Sequence, residues 1–163
     1  MMTLYHGSNM AIDKIDLSLG LPDKDFGKGF YLTHLKQQAE RMALSKCQRM
    51  EGKPVVTVFE FDDEEAHRQK LRIKKFNKPT ENWPQFVTNN RHASQTGFSH
   101  QYDIVIGPIA DDSMALQFRL YEEGYISLHQ LAQRITFPHQ NSQHFFATER
   151  AIQLLHKVDI ITL

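Results

Sequence analysis

At least five short stretches rich in β-branched and aromatic residues recur along the chain, and helical patterns fill only some of the gaps between them. The predicted strands cover residues 55–61, 70–74, 102–108, 143–148 and 158–163, with a sixth near residues 3–5. Because helices do not alternate regularly with strands, the pattern disfavours a doubly wound parallel sheet and favours antiparallel or mixed pairing. The sequence therefore predicts an α+β fold.

Helices are predicted where apolar residues recur at helical spacing after a residue that can cap a first turn. Five helices are predicted. The first begins at Thr33 and continues to about residue 50, the second covers 81–91, and the third runs from Asp111 or Asp112 to just before Gly124. The fourth follows Ser127 and continues through 135, and the fifth follows Thr148 and continues through 156. Cys47 falls on the apolar spacing of the first helix, so it is predicted to be a buried core thiol.

Composition describes one globular domain spanning residues 1–163. The chain has 19 basic and 19 acidic side chains, zero net charge and 40% hydrophobic residues. Zero net charge removes the overall basic field that drives non-specific nucleic-acid binding.

One cysteine excludes an internal disulfide and any Cys-x-x-Cys site, and it favours a reducing cytoplasmic location. The apolar runs are too short to span a membrane, and no secretion signal is expected at the N-terminus.

Two glycine-containing segments carry the most information about chemistry. Residues 4–8 (LYHGS) read as a strand ending in a histidine beside a glycine, whose main chain a ligand can approach closely. Residues 25–33 (DFGKGFYLT) place Gly27 and Gly29 around Lys28, just before an aromatic strand. This second segment lacks the third glycine of a dinucleotide fingerprint and the Gly-Lys-Ser/Thr ending of a P-loop.

Taken together, the two segments resemble the first two signatures of the ADP-ribosyltransferase superfamily, in its His-Tyr-Glu branch. More narrowly, the chain is similar to a bacterial domain family of unknown function within that superfamily. The matching segments are 4–8, 25–33, 90–91 (NR), 102–110 (YDIVIGPIA) and 142–149 (SQHFFATE). The resemblance implies a split, mostly antiparallel β-sheet core flanked by helices, and it implies NAD as co-substrate.

The same resemblance implies roles for individual residues. His6 would bind a ribose hydroxyl of NAD, the main chain of Gly7 would pair with the nicotinamide carboxamide, and Tyr31 would stack on the nicotinamide ring. Ser8 and Thr33 are predicted to support this site through their hydroxyls. Lys28 or Arg91 is a candidate partner for the diphosphate, although each also reads as an ordinary loop or helix-end cation.

The third signature position is normally a glutamate, and here it is Gln143. A carboxylate stabilises a cationic transition state, whereas an amide orients a hydroxyl without bringing charge. Gln143 therefore predicts altered or slow catalysis. Glu149 is an alternative carboxylate six positions later, although a favourable charge in the first turn of a helix explains it as well.

Other candidate sites are weaker. Six cations lie within eleven residues, at positions 68, 70, 72, 74, 75 and 78, and alternation would place Lys70, Arg72 and Lys74 on one strand face. Such a face could follow a phosphate backbone, or it could be a solvated edge strand. The acidic run 62–65 is predicted to be a turn. The histidines near 139–144 lack a carboxylate or cysteine at ligand spacing, so no metal site is predicted.

The resemblance implies a mono-ADP-ribosyltransferase that modifies an intracellular protein, RNA or DNA. Small proteins of this kind resemble toxins of bacterial toxin–antitoxin or phage-defence modules, so an antitoxin is a candidate partner. Two alternatives keep the fold: an NAD glycohydrolase, which transfers to water, and a catalytically weak module that binds NAD or another protein.

Overall fold

The structure, a computed structural model, describes residues 1–77, 82–110, 112–135 and 142–163. Its strands are β1 (Met2–Ser8), β2 (Phe30–Leu32), β3 (Val55–Phe61), β4 (Ile73–Lys75), β5 (Ile104–Gly107), β6 (Gln143–Phe146) and β7 (Leu155–Thr162). Its α-helices are α1 (Lys36–Arg49), α2 (Asp63–Arg68), α3 (Asn82–Arg91), α4 (Ala93–Thr96), α5 (Asp112–Glu122), α6 (Leu128–Arg134) and α7 (Glu149–Ile152).

The strands form two sheets. A three-stranded antiparallel sheet has the order β1-β3-β7, and a four-stranded sheet has the order β2-β6-β5-β4. Within the four-stranded sheet only the β4–β5 pair is parallel. The predicted α+β fold, with a mostly antiparallel sheet core flanked by helices, is confirmed.

Tyr5 and Thr33 join the two sheets through an isolated β-bridge. The Tyr5 N–H donates to the Thr33 carbonyl at 2.7 Å, and the Thr33 N–H donates back to the Tyr5 carbonyl at 2.9 Å. Beyond this pair, within the described part of the chain, residues 6–8 of β1 and residues 30–32 of β2 lie side by side without a backbone ladder. We call this gap between the two strands the split.

Two apolar clusters lie on opposite faces of the four-stranded sheet because successive side chains of a strand point to opposite faces. One cluster lies between the sheets and includes Leu4, Phe59, Leu32, Ile104 and Phe146. The other packs α3, α5 and α6 on the outer face, with Trp83, Phe118, Leu131, Val105 and Phe145. Helix α1 covers β1 and β3 separately, through Ala39, Val56 and Val58.

Several predicted boundaries are wrong at the level of single turns. Thr33 does not cap α1: its Oγ1 accepts the Leu35 N–H at 3.0 Å, and the helix begins at Lys36. The last helix ends at Ile152, because β7 begins at Leu155. Cys47 is half-buried, not part of the buried core.

Two local predictions fail for identifiable reasons. The predicted strand 70–74 is only Ile73–Lys75, because Lys70 has φ 56° and ends the turn after α2. Lys70, Arg72 and Lys74 therefore do not share one strand face, and Lys78 lies outside the described residues. The acidic run is a helix and not a turn: the Asp62 carboxylate accepts the Glu65 N–H at 3.0 Å and caps α2.

Candidate functional site

His6 and Tyr31 meet across the split. His6 Nδ1 lies 2.7 Å from the Tyr31 carbonyl oxygen, and since a carbonyl only accepts, Nδ1 carries the proton. The imidazole also stacks on Phe30, with ring centroids 4.4 Å apart. Burial lowers the pKa of His6 to about 4, against the opposing effect of the Tyr31 hydrogen bond. At neutral pH His6 is therefore uncharged, and its Nε2 is a hydrogen-bond acceptor.

The main chain of Gly7 faces the same gap. In an antiparallel strand, alternate residues direct their N–H and C=O groups to the same side. Because the N–H and C=O of Tyr5 bond to Thr33 on the β2 side, those of Gly7 also point toward β2. At Gly7 the ladder has ended, so these two groups face the split at the level of Tyr31.

Packing independently requires a glycine at position 7. A Cβ atom built there overlaps the carbonyl group of Ala39, and it lies 3.0 Å from the Ala43 nitrogen. Both of these residues belong to α1, which lies directly on β1. Residue 7 must therefore lack a side chain for the helix to approach the strand this closely.

Tyr31 is held by the loop that precedes its strand. Its hydroxyl donates to the Gly27 carbonyl at 2.7 Å and accepts the Phe26 N–H at 3.0 Å. Burial of this hydroxyl raises the pKa of Tyr31. The ring packs against Phe145, with centroids 4.8 Å apart. Both the hydroxyl and one flank of the ring are thus fixed by the protein.

Ser8 and Thr33, the two predicted supporting hydroxyl residues, are both buried. Thr33 connects β1 to the start of α1, through the bridge to Tyr5 and the hydrogen bond to Leu35. Ser8 Oγ lies 3.2 Å from Asn9 Oδ1 and 3.4 Å from Lys46 Nζ. Sequence reasoning did not single out Lys46, because it lies 38 positions from Ser8 in the sequence and no local pattern links the two residues.

The two predicted diphosphate partners have different surroundings. Arg91 Nε donates to Asp25 Oδ1 at 2.8 Å, and its guanidinium lies 4.9 Å from the centre of the Phe118 ring. These contacts hold Arg91 at the loop and the outer cluster. Lys28 is exposed on the loop between Gly27 and Gly29, beside a cavity of about 440 Å³ that Phe145 and His100 also line.

Gln143 opens β6 on the same face of the sheet as Tyr31. Tyr31 lies opposite Phe145, and Gln143 is two residues before Phe145, which places it on the diagonal from Tyr31. Its Nε2 donates to the Pro108 carbonyl at 3.4 Å. The structure thus brings His6, Gly7 and Tyr31 together at the split, with Gln143 one diagonal step from Tyr31.

Helix α1 and the residues before it hold the start of β6. Gln38 Nε2 donates to the Ser142 carbonyl at 3.1 Å, and His34 Nδ1 lies 3.2 Å from Ser142 Oγ. Gln38 Oε1 and His144 Nδ1 are buried without a hydrogen-bond partner in the described part of the chain. Burial lowers the pKa of His144 to about 4, so it is neutral at neutral pH. Sequence reasoning missed Gln38, which sits in the first turn of α1 beside the core residue Ala39.

Glu149 lies at the other end of β6 from Gln143. It is exposed in the first turn of α7, after the Thr148 cap. This position agrees with the helix-dipole interpretation of its charge. Of the two histidines in the 139–144 stretch, His139 lies outside the described residues and His144 is buried in β6; the described part of the chain contains no group of three side chains suited to a metal.

The fold and the split define an α+β protein of two linked sheets. The chain belongs to the family described as "Protein of unknown function (DUF3990)", whose model matches residues 2–157. No curated protein and no solved structure shows significant similarity to this chain. Within the described ranges, no helix is both long and apolar enough to cross a membrane.

Proposed function

We propose that this protein is a mono-ADP-ribosyltransferase that uses NAD to modify a macromolecule. The observation that supports it best is the meeting of three groups at the split: the neutral imidazole of His6, the main chain of Gly7 and the residue Tyr31. These are the residues to which the superfamily resemblance assigns NAD binding. They come from strands that are 25 positions apart at the His6–Tyr31 contact.

The reaction needs what these groups can supply. The bond between ribose C1′ and the nicotinamide nitrogen breaks with its electron pair on nicotinamide, and an acceptor nucleophile bonds to C1′ and loses its proton. The main chain of Gly7 offers one donor and one acceptor for a carboxamide. His6 Nε2 can accept a hydrogen bond from a ribose hydroxyl, and burial keeps it neutral beside a developing cation.

Gln143 sets the expected rate. An amide at this position can orient a ribose hydroxyl, but it gives no charge stabilisation to an oxocarbenium-like transition state. We therefore propose slow transfer, as suits the toxin of a bacterial toxin–antitoxin or phage-defence module acting in the cytoplasm. The same substitution favours the second candidate, a module that binds NAD or an antitoxin protein with little catalysis.

Nicotinamide release from NAD tests the proposal. Wild type, Tyr31→Ala, Gln143→Ala and Glu149→Ala are compared with and without cell extract, and Tyr125→Ala, whose side chain is 74% exposed, is the control. We expect extract-dependent release by wild type, Glu149→Ala and Tyr125→Ala, and its loss in the other two variants. Loss of release only in Glu149→Ala would assign the catalytic role to the Glu149 carboxylate and not to Gln143. NAD binding with no release in any sample would favour the non-catalytic module.

Labelled NAD identifies the acceptor class. The transferred label is separated into protein and nuclease-sensitive material after inducible expression. Label confined to protein would remove RNA and DNA as acceptors. Free ADP-ribose produced without any added macromolecule would instead support the NAD glycohydrolase alternative.

A further inference from the structure

Lys46 points toward the end of β1. It lies in the last turn of α1, and its Nζ is 3.4 Å from Ser8 Oγ, a hydroxyl whose residue is only 2% exposed. Lysine side chains at a surface normally extend their ammonium groups into water. Here the side chain is half-buried, and its charge reaches the open end of the split.

No carboxylate in the described part of the chain balances this charge. Among the described residues, Lys46 Nζ has no carboxylate at ion-pair distance, and Ser8 Oγ is its one hydrogen-bond partner. Its positive charge also contributes to the lowered pKa of His6, so it is close enough to act on the imidazole. A partly desolvated cation without a counter-charge is unfavourable, and an anionic ligand would compensate it.

We propose that Lys46 and Ser8 form a phosphate-binding subsite at the open end of the split. As a deepening of the proposed function, the subsite takes a phosphate group of the dinucleotide whose nicotinamide lies between Gly7 and Tyr31. Lysine binds phosphate as a point charge, and the serine hydroxyl, whose own proton is donated to Asn9 Oδ1, accepts the hydrogen bond that orients the ammonium group. The phosphate belongs either to the diphosphate of NAD or to the additional 2′-phosphate of NADP.

The subsite replaces the two phosphate partners predicted from sequence. Arg91 already donates to Asp25, and Lys28 lies on the far side of Tyr31, on the loop that holds the tyrosine hydroxyl. Lys46, by contrast, contacts Ser8, the residue that follows Gly7 in β1, and its charge acts on His6.

Kinetics with three substrates test the subsite. Nicotinamide release is measured from NAD, NADP and nicotinamide riboside, which has no diphosphate, for wild type, Lys46→Gln and Lys46→Arg. Arg49→Gln is the matched control, because it removes an exposed positive charge from the same last turn of α1. We expect Lys46→Gln to raise the KM for NAD about tenfold or more, as for loss of a hydrogen bond to a charged group.

Nicotinamide riboside and Lys46→Arg complete the expected pattern. The KM for nicotinamide riboside should be the same in all four proteins, and Lys46→Arg should recover most of the NAD affinity. An effect far larger for NADP than for NAD assigns the subsite to the 2′-phosphate, whereas equal effects assign it to the diphosphate. Equal KM values for NAD in Lys46→Gln and Arg49→Gln overturn the subsite.

Direct binding separates this inference from the transferase proposal. Inorganic pyrophosphate is titrated into wild type, Lys46→Gln and Arg49→Gln, and amide chemical shifts near Ser8 are followed. Binding lost only in Lys46→Gln supports the subsite even if no nicotinamide is ever released, in which case only the transferase proposal fails. Binding that is unchanged in Lys46→Gln, or absent from wild type at millimolar concentrations, overturns the subsite.

Discussion

Tyr31 contributes to the protein in two separable ways, through its hydroxyl and through its ring. The hydroxyl satisfies the Phe26 N–H and the Gly27 carbonyl, which otherwise lose their partner. We predict that Tyr31→Phe lowers the free energy of unfolding by about 1–3 kcal/mol, since removing one partner leaves buried polar groups unsatisfied. Urea unfolding measures the change. Tyr125→Phe, at an exposed position, should stay within experimental error of wild type.

Activity distinguishes the two contributions of Tyr31. If the ring holds nicotinamide, Tyr31→Phe keeps nicotinamide release near wild type at a temperature where it is folded, while Tyr31→Ala loses it. Equal loss of nicotinamide release in both variants would show that activity depends on the loop held by the Tyr31 hydroxyl and not on the Tyr31 ring.

Two histidines, the half-buried His6 and the buried His144, make stability depend on pH. The pKa values of His6 and His144 are lowered from 6.5 to about 4 by burial, so between these values the unfolded chain binds protons that the folded chain does not. Unfolding therefore becomes easier as pH falls from about 7 to 5. For His144, which is 3% exposed, the loss is on the order of 2 kcal/mol.

Urea unfolding at pH 7 and pH 5 checks this prediction, with His144→Asn as the informative variant. We expect the difference between the two pH values to be smaller in His144→Asn, because that position no longer titrates. The lowered pKa values of Asp16, Asp23 and Glu65 act below this window, where carboxylates gain protons. An unchanged pH dependence in His144→Asn would contradict the assignment.

Among the elements, β1 and α1 form the closest contact at Gly7. We predict that Gly7→Ala destabilises the protein by about 2–3 kcal/mol or more, because the added Cβ meets the rigid carbonyl of Ala39 and forces α1 away. Gly124→Ala is the control: its φ of 84° strains an alanine, but no atom lies within 4 Å of the added Cβ. Thermal unfolding should show a larger decrease in Tm for Gly7→Ala than for Gly124→Ala. The reverse order would contradict the close packing of α1 on β1.

The elements also show what sequence patterns can predict. The aromatic and β-branched run of β3 and the Ser127 cap of α6 are local signals, and both are confirmed. The alternation of polar and apolar residues at 70–74 is equally local but misleading, because Lys70 has a left-handed backbone conformation that a strand does not adopt. For the candidate site, the partner of Arg91 lies 66 positions away in sequence, so no local pattern could have shown that Asp25 engages it.

At the scale of the whole molecule, the four-stranded sheet contributes to both large apolar clusters. Ile104 and Phe146 face the cluster between the sheets, while Val105 and Phe145 face the outer cluster. Neither cluster can lose this sheet without exposing the other, so we predict one cooperative unfolding transition, as expected of a single domain.

Trp83 makes this prediction measurable. It is the single tryptophan of the sequence, it is fully buried, and it belongs to the outer cluster. Its fluorescence and the far-ultraviolet circular dichroism should give coincident urea transitions. A fluorescence transition at clearly lower urea than the circular dichroism change would show that the outer cluster unfolds independently.

Gly7 has a consequence for how relatives of this protein are compared. Its N–H and C=O groups face the split, and every residue type except proline has the same two groups. The requirement for glycine at this position therefore comes from the space beneath α1 and does not depend on any activity of the protein. A retained glycine at position 7 reports that the helix still lies on the strand. Under the proposed function, the positions that would report retained chemistry are those of His6, Lys46 and Gln143.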